Sequence, residues 1–125
     1  MKFNYNLEGR NSYTYKTYRE YIDTLHAQDK TTGNDHSEAM LTYSNMNVTR
    51  MKRLDKTALI RQDLAEVILS LTNQKWLILT EAWCGDAAQI LPIIYKMSEF
   101  SESVSMRIVL RDDNEDLMNQ FLSLI

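Results

Sequence analysis

The chain has a single cysteine, Cys84, so no intramolecular disulfide can form. A cross-linked secreted scaffold is excluded. One proline and three glycines in 125 residues leave few chain breakers. That scarcity favours long helices joined by short connections. Long apolar runs are also missing. The longest is Trp76-Leu77-Ile78-Leu79, far short of the ~20 residues that span a bilayer. The first residues, Met1 to Glu8, lack the apolar stretch of a secretory leader. A soluble protein of a reducing, cytoplasmic compartment is expected. There is no basic excess: 14 basic residues stand against 17 acidic, a net charge of −3. General nucleic-acid binding is disfavoured on that ground.

What remains is one domain's worth of ordinary globular sequence. Hydrophobic residues make up 44% and charged residues 25%, which argues against disorder. Charge is uneven, about +2 over residues 1–63 and −5 over residues 64–125. No internal repeat or low-complexity tract is visible.

Periodicity divides the chain. Phe3, Tyr5 and Leu7 alternate weakly, as a short edge strand would. Residues 14–28 read as a helix whose apolar face holds Tyr15, Tyr18, Ile22 and Leu25. Residues 29–35 are a polar loop. Ser37 is placed to cap a second helix that carries Met40, Tyr43 and Val48. Asp55 or Thr57 is placed to cap a third, with Ile60, Leu64, Val67, Ile68 and Leu71 as its stripe. The grammar then changes. Trp76 to Trp83 opens as a strand buried on both faces. A helix follows from about Gly85 to Phe100. Val104 to Leu110 alternates as a strand, and Glu115 to Leu124 forms a last helix with Leu117, Phe121 and Leu124 on one face. Strands separated by a helix are expected to be parallel neighbours. The order α-β-α-β-α after residue 57 is that of an α/β fold.

One segment carries pointed chemistry. Trp83-Cys84-Gly85-Asp86-Ala87 lies where a buried strand gives way to a helix. A helix N-terminus carries partial positive charge and free N–H groups, and a cysteine there can become a reactive thiolate. Asp86 competes for the same dipole. It reads either as a proton-transfer group for the thiol or as an ordinary first-turn acid. Cys84 reads as a reactive thiol or as an inert small hydrophobe. Glu81 reads as a buried proton-transfer acid or as a solvent-facing strand end. Trp83 reads as core packing at the strand end, as a shield for the thiol or as a partner-binding residue, and Gly85 as a tight turn.

The run Leu77-Ile78-Leu79-Thr80-Glu81-Ala82-Trp83-Cys84-Gly85-Asp86-Ala87 resembles the strand and active-site turn of the thioredoxin superfamily, where Trp-Cys-Gly-Pro-Cys is typical. Pro92, eight residues after Cys84, matches the proline inside that family's active-site helix. The resemblance covers roughly residues 57–124. The whole chain looks like a bacterial group known only as thioredoxin family proteins. The resemblance implies an α/β, thioredoxin-like fold, with residues 1–56 as a mostly helical N-terminal extension and residues 57–125 as the α-β-α-β-α unit.

Two departures shape the expected function. Ala87 stands where the second cysteine would be, so no resolving thiol is available and a dithiol cycle within one chain is excluded. Cys84 can act as a monothiol, with a protein disulfide or glutathione as partner and an outside thiol releasing the product. The competing expectation is a non-catalytic thioredoxin-fold binding module. Second, with Pro92 the only proline, the cis-proline loop, hairpin and final helix of thioredoxins are not found. The sheet is expected to be incomplete. The chain reads as the front part of a longer protein, or as one that completes its sheet by association, for example as a homodimer through an open edge.

The remaining features have plainer readings. His26 and His36 show no metal-like spacing and are expected to face solvent; no metal or organic cofactor is expected. Residues 31–36 lack the ending of a phosphate loop. Arg50, Lys52, Arg53, Lys56 and Arg61 form a local basic cluster, read as a solvated face or a holder for an anion such as a glutathione carboxylate. Tyr13, Tyr15, Tyr18 and Tyr21 read as helix packing, and Met40, Met46 and Met51 as core filler.

Overall fold

A computed structural model describes residues 6–122, with side chains through Gln120. Helix α1 spans Tyr15–His26. It begins at a reciprocal cap: Thr14 accepts from the Thr17 amide, and Thr17 accepts from the Thr14 amide at 2.9 Å. Helix α2 spans Glu38–Thr57, and Ser37 accepts from the Met40 amide as expected. No cap forms at Asp55 or Thr57, because α2 runs unbroken through both. The Asp55 carboxylate instead accepts from the Tyr15 hydroxyl at 2.8 Å and pairs with Arg19 at 3.0 Å. The Thr57 hydroxyl donates back to the Arg53 carbonyl. Helix α3 starts later, at Gln62, and runs to Leu69 after Arg61 as an uncapped N-cap residue. Its stripe is only partly buried: Ile68 is inside, whereas Leu64 and Val67 are exposed.

Strand β1 spans Gln74–Thr80, helix α4 Gly85–Ser98, strand β2 Val104–Leu110 and helix α5 Glu115–Leu122. The strands are parallel, in register from Gln74 opposite Val104 to Thr80 opposite Leu110. The first strand therefore stops three residues before Trp83, and Glu81 to Trp83 form a turn. Among the described residues the sheet has these two strands. The short segment at Tyr13 adds one antiparallel bridge to Ile108, with both bonds at 2.8 Å. That contact comes later in the chain than the expected edge strand at Phe3, Tyr5 and Leu7. Phe3 and Tyr5 lie outside the described residues, and Leu7 is in no strand.

Flanked on both edges, β2 is the better buried strand, with Ile108 and Val109 fully inside. Residues 76–79 of β1 are only half-buried, a correction to the expectation of a strand buried on both faces. The reason is its outer edge, which pairs with no strand among the described residues. Gln74 N–H and Thr80 C=O bond toward β2 and its flanks. The alternation of a parallel ladder then turns the backbone groups of Lys75, Leu77 and Leu79 outward.

The main core gathers Tyr15, Tyr18 and Ile22 of α1, Val48 and Met51 of α2, and Leu91 of α4 around Ile108. The tyrosines pack as expected: Tyr15 stacks on Tyr95 at 4.5 Å and Tyr13 on Tyr21 at 5.3 Å. Met51 is core filler, but Met46 is 45% exposed, since it lies on the outer face of α2. Within α5, Leu117 is buried. Its stripe partners Phe121 and Leu124 lie beyond the described side chains. No helix among the described residues is long and apolar enough to cross a membrane.

Candidate functional site

The turn that leaves β1 places Cys84 at the N-cap of α4. Its backbone is extended (φ −79°, ψ 113°), its amide donates to the Glu81 carbonyl at 3.0 Å, and its carbonyl accepts from the Ala88 amide at 3.2 Å. The thiol makes no capping hydrogen bond and is half-buried. It therefore stands unengaged at the positive end of a 14-residue helix.

A cleft of about 260 Å³ opens beside it. Cys84, Asp86 and Ala87 sit along one side, and Ile78, Ile90 and Ile94 make the lining apolar. Consecutive residues of β1, Ile78 to Thr80, also line it. Alternate side chains of a strand point to opposite faces, so the cleft runs along the free edge. The structure thus brings Cys84, Asp86 and Ala87 to one cavity. Trp83 turns away. Its indole nitrogen lies 3.1 Å from where a Cβ on Gly33 would stand, and Arg111 covers its ring at 5.3 Å. Gly85 lies under Arg50, whose Nη1 is 3.5 Å from the corresponding Cβ position.

Glu81 is buried, 2% exposed; it is not a solvent-facing strand end, because the polar loop before α2 covers it. Its Oε1 accepts from the Asp112 amide at 3.2 Å, and its Oε2 has no hydrogen-bond partner. Burial pushes its pKa up, and the charges of Asp112 and Asp113 add to that; the Thr32 hydroxyl and the Asp112 amide act against it. Tyr18 lies fully buried, and its pKa is also raised, first by burial and further by Glu81 and Cys84.

Three contributors came from far along the chain. Thr32 accepts from the Ala82 amide at 2.8 Å, and Asn47 donates to the Ala82 carbonyl at 2.9 Å. Arg50 donates to Asn47 Oδ1 at 3.0 Å. No local motif marks Thr32 or Asn47. The only sequence cue is that both are polar residues in otherwise ordinary helical and loop positions. The basic cluster is divided: Arg50 reaches the turn, Lys52, Arg53 and Lys56 are exposed, and Arg61 pairs with Asp63 at 2.7 Å. Nor is His26 solvent-facing. It is half-buried against Ser44 at 2.6 Å, and burial lowers its pKa. Ser44 in turn accepts from Thr31, which ties the loop to α2. His36 is exposed. Among the described residues no three His, Cys, Asp or Glu side chains converge as metal ligands.

A parallel βαβ unit with a tryptophan-cysteine turn at the start of its crossover helix defines a thioredoxin-like class of protein. A family model described as thioredoxin matches residues 33–124. The chain belongs to the thioredoxin superfamily. No curated protein and no solved structure gives a match.

Proposed function

We propose that this protein carries out monothiol disulfide exchange through Cys84. One observation carries the reading: an unengaged, half-buried thiol at the N-cap of α4, at the side of an apolar cleft. Ala87 replaces a resolving cysteine in that same cleft. In the first step the Cys84 thiolate attacks one sulfur of a substrate disulfide. A mixed disulfide forms, the old S–S bond breaks, and the departing sulfur takes a proton. An external thiol such as glutathione then attacks the substrate sulfur of the mixed disulfide, which frees the Cys84 thiolate and leaves a disulfide between substrate and external thiol. A second external thiol completes the two-electron reduction and leaves as the oxidised dimer. The helix terminus favours the anionic sulfur species along this path. Asp86 shares the cleft and is assigned the proton transfer to the departing sulfur. Arg50, which lies over Gly85, is assigned the binding of a carboxylate of the incoming thiol. A reducing, cytoplasmic compartment would supply that thiol.

The free edge of β1 beside the cleft favours a second reading, a thioredoxin-fold binding module in which Cys84 is incidental. Turnover separates the two. Wild-type protein with excess glutathione should reduce a small disulfide such as bis(2-hydroxyethyl) disulfide, and Cys84→Ser should abolish the reaction. Equal silence of both proteins would sink the exchange reading and leave the binding module.

A further inference from the structure

Hydrogen bonding between β1 and β2 ends where Arg111 N–H reaches the Thr80 carbonyl at 3.1 Å. Beyond that point the ladder has no partners to offer, yet the backbone must still carry Cys84 to the start of α4. Buried backbone groups are almost always paired. At Ala82, itself 2% exposed, the partners are side chains from the N-terminal half of the chain. Thr32 takes the amide and Asn47 supplies the carbonyl's donor, at 2.8 and 2.9 Å. Both side chains are buried, at 2% and 1% exposure. Asn47 is held in turn by Arg50, which continues on to Gly85. The turn is thus held at Ala82, two residues before the cysteine, and Arg50 lies over Gly85 on its other side.

We propose that Thr32 and Asn47 are positioning residues for Cys84. They replace the missing ladder and fix the direction in which the thiol faces the cleft. The inference rests on the monothiol reading for its purpose. The loop before α2 and the helix itself are then working parts of the thiol site, although neither touches a substrate. Gly33 belongs to the same device: its φ of +82° and the 2.6 Å from its Cβ position to Asp112 Oδ2 leave no room for a side chain where the loop meets Trp83.

The test is the alkylation rate of Cys84 by iodoacetamide across pH 5 to 9, a readout independent of turnover (the range spans the usual thiol titration). Thr32→Val keeps the volume but removes the acceptor. It should change the native rate or shift its pH profile by about tenfold, as misplacement of a reacting group does. Thr32→Ser should restore the wild-type profile. Asn47→Asp, which loses the donor to Ala82, should act in the same direction as Thr32→Val. Ile68→Val, a buried position on α3 outside the core cluster that holds Ala82, should leave the profile unchanged. Wild-type profiles in folded Thr32→Val and Asn47→Asp would overturn the proposal. If neither variant folds, amide exchange in the wild-type protein decides. An Ala82 amide protected as well as the β2 amides supports the clamp, and rapid exchange overturns it. The proposed activity fails separately: alkylation would follow these patterns while turnover with glutathione stayed absent.

Discussion

At the scale of single residues, the chemistry around the turn depends on groups that gain or lose charge on burial. Glu81 is the clearest case. Its raised pKa means the folded protein holds the proton at pH values where the unfolded chain has released it. By linkage, stability is then highest below the unfolded value, about 4.5, and is lost as pH rises through the raised folded value. Glu81→Gln should remove this loss, so its urea midpoint should exceed that of the wild type at neutral pH and match it near pH 4. Asp116 works in the opposite direction. Its hydrogen bond to Arg10 holds it down to about 2, so its contribution is present above its ordinary 3.8 and lost as pH falls toward 2. Arg10→Gln should lower the urea midpoint above about pH 4 and converge on the wild type as pH falls toward 2. For the reaction, Asp86→Asn should lower disulfide turnover by up to roughly 10²-fold if the carboxyl passes the proton. Unchanged turnover would leave Asp86 as a first-turn acid only.

At the scale of elements, the helices begin with side-chain caps where the chain offers threonine or serine. Thr14→Ala should cost about 1 kcal/mol in chemical denaturation, the usual worth of such a cap. The stretch from Asp55 to Gln62 shows how tertiary contacts override local signals. Asp55 has cap chemistry, but the Tyr15 hydroxyl and Arg19 claim its carboxylate, and α2 continues past it. Lys96 of α4 then donates to the carbonyls of Leu54 and Ala58 at 3.0 and 2.7 Å, satisfying the C-terminal end of α2. Gly33→Ala tests the element that joins loop to turn. A side chain at φ +82° costs about 1–2 kcal/mol before the contact with Asp112 is counted.

At the scale of the whole molecule, the outer edge of β1 is the exposed part of the sheet. The backbone groups of Lys75, Leu77 and Leu79 face outward, Leu79 at the apolar cleft, and apart from the charge of Lys75 the strand has no proline or bulge to blunt the edge. Self-association through this edge is the expected outcome. Sedimentation equilibrium should show dimer at roughly tens of micromolar, a regime in which exposed edges associate. A well-folded monomer at that concentration would exclude it.

Much of this was legible in the residues. The order of elements, the parallel pairing and the limits of Val104–Leu110 follow from local patterns of apolar spacing. So does the start of α4, because Gly85 and Asp86 come only a short turn after an apolar strand. These are properties of neighbours in the chain, and the strength of the alternation is enough to express them. The superfamily was legible for the same reason, since its signature is a contiguous run.

What tertiary structure alone decided is longer-range. Nothing near Glu81 says that a loop some fifty residues earlier covers it. Nothing in Asn47 announces that it will hold a carbonyl beside the cysteine. The sequence fragments Thr32, Asn47 and Ala82 acquire a joint meaning only when α2 and the strand end meet. The reason is physical: a buried backbone amide or carbonyl must find a partner, but any polar side chain that the fold brings within reach will serve. Local sequence therefore determined which elements form and where the thiol stands. Packing determined which distant side chains hold it there, and among the described residues left the outer edge of β1 without a partner strand.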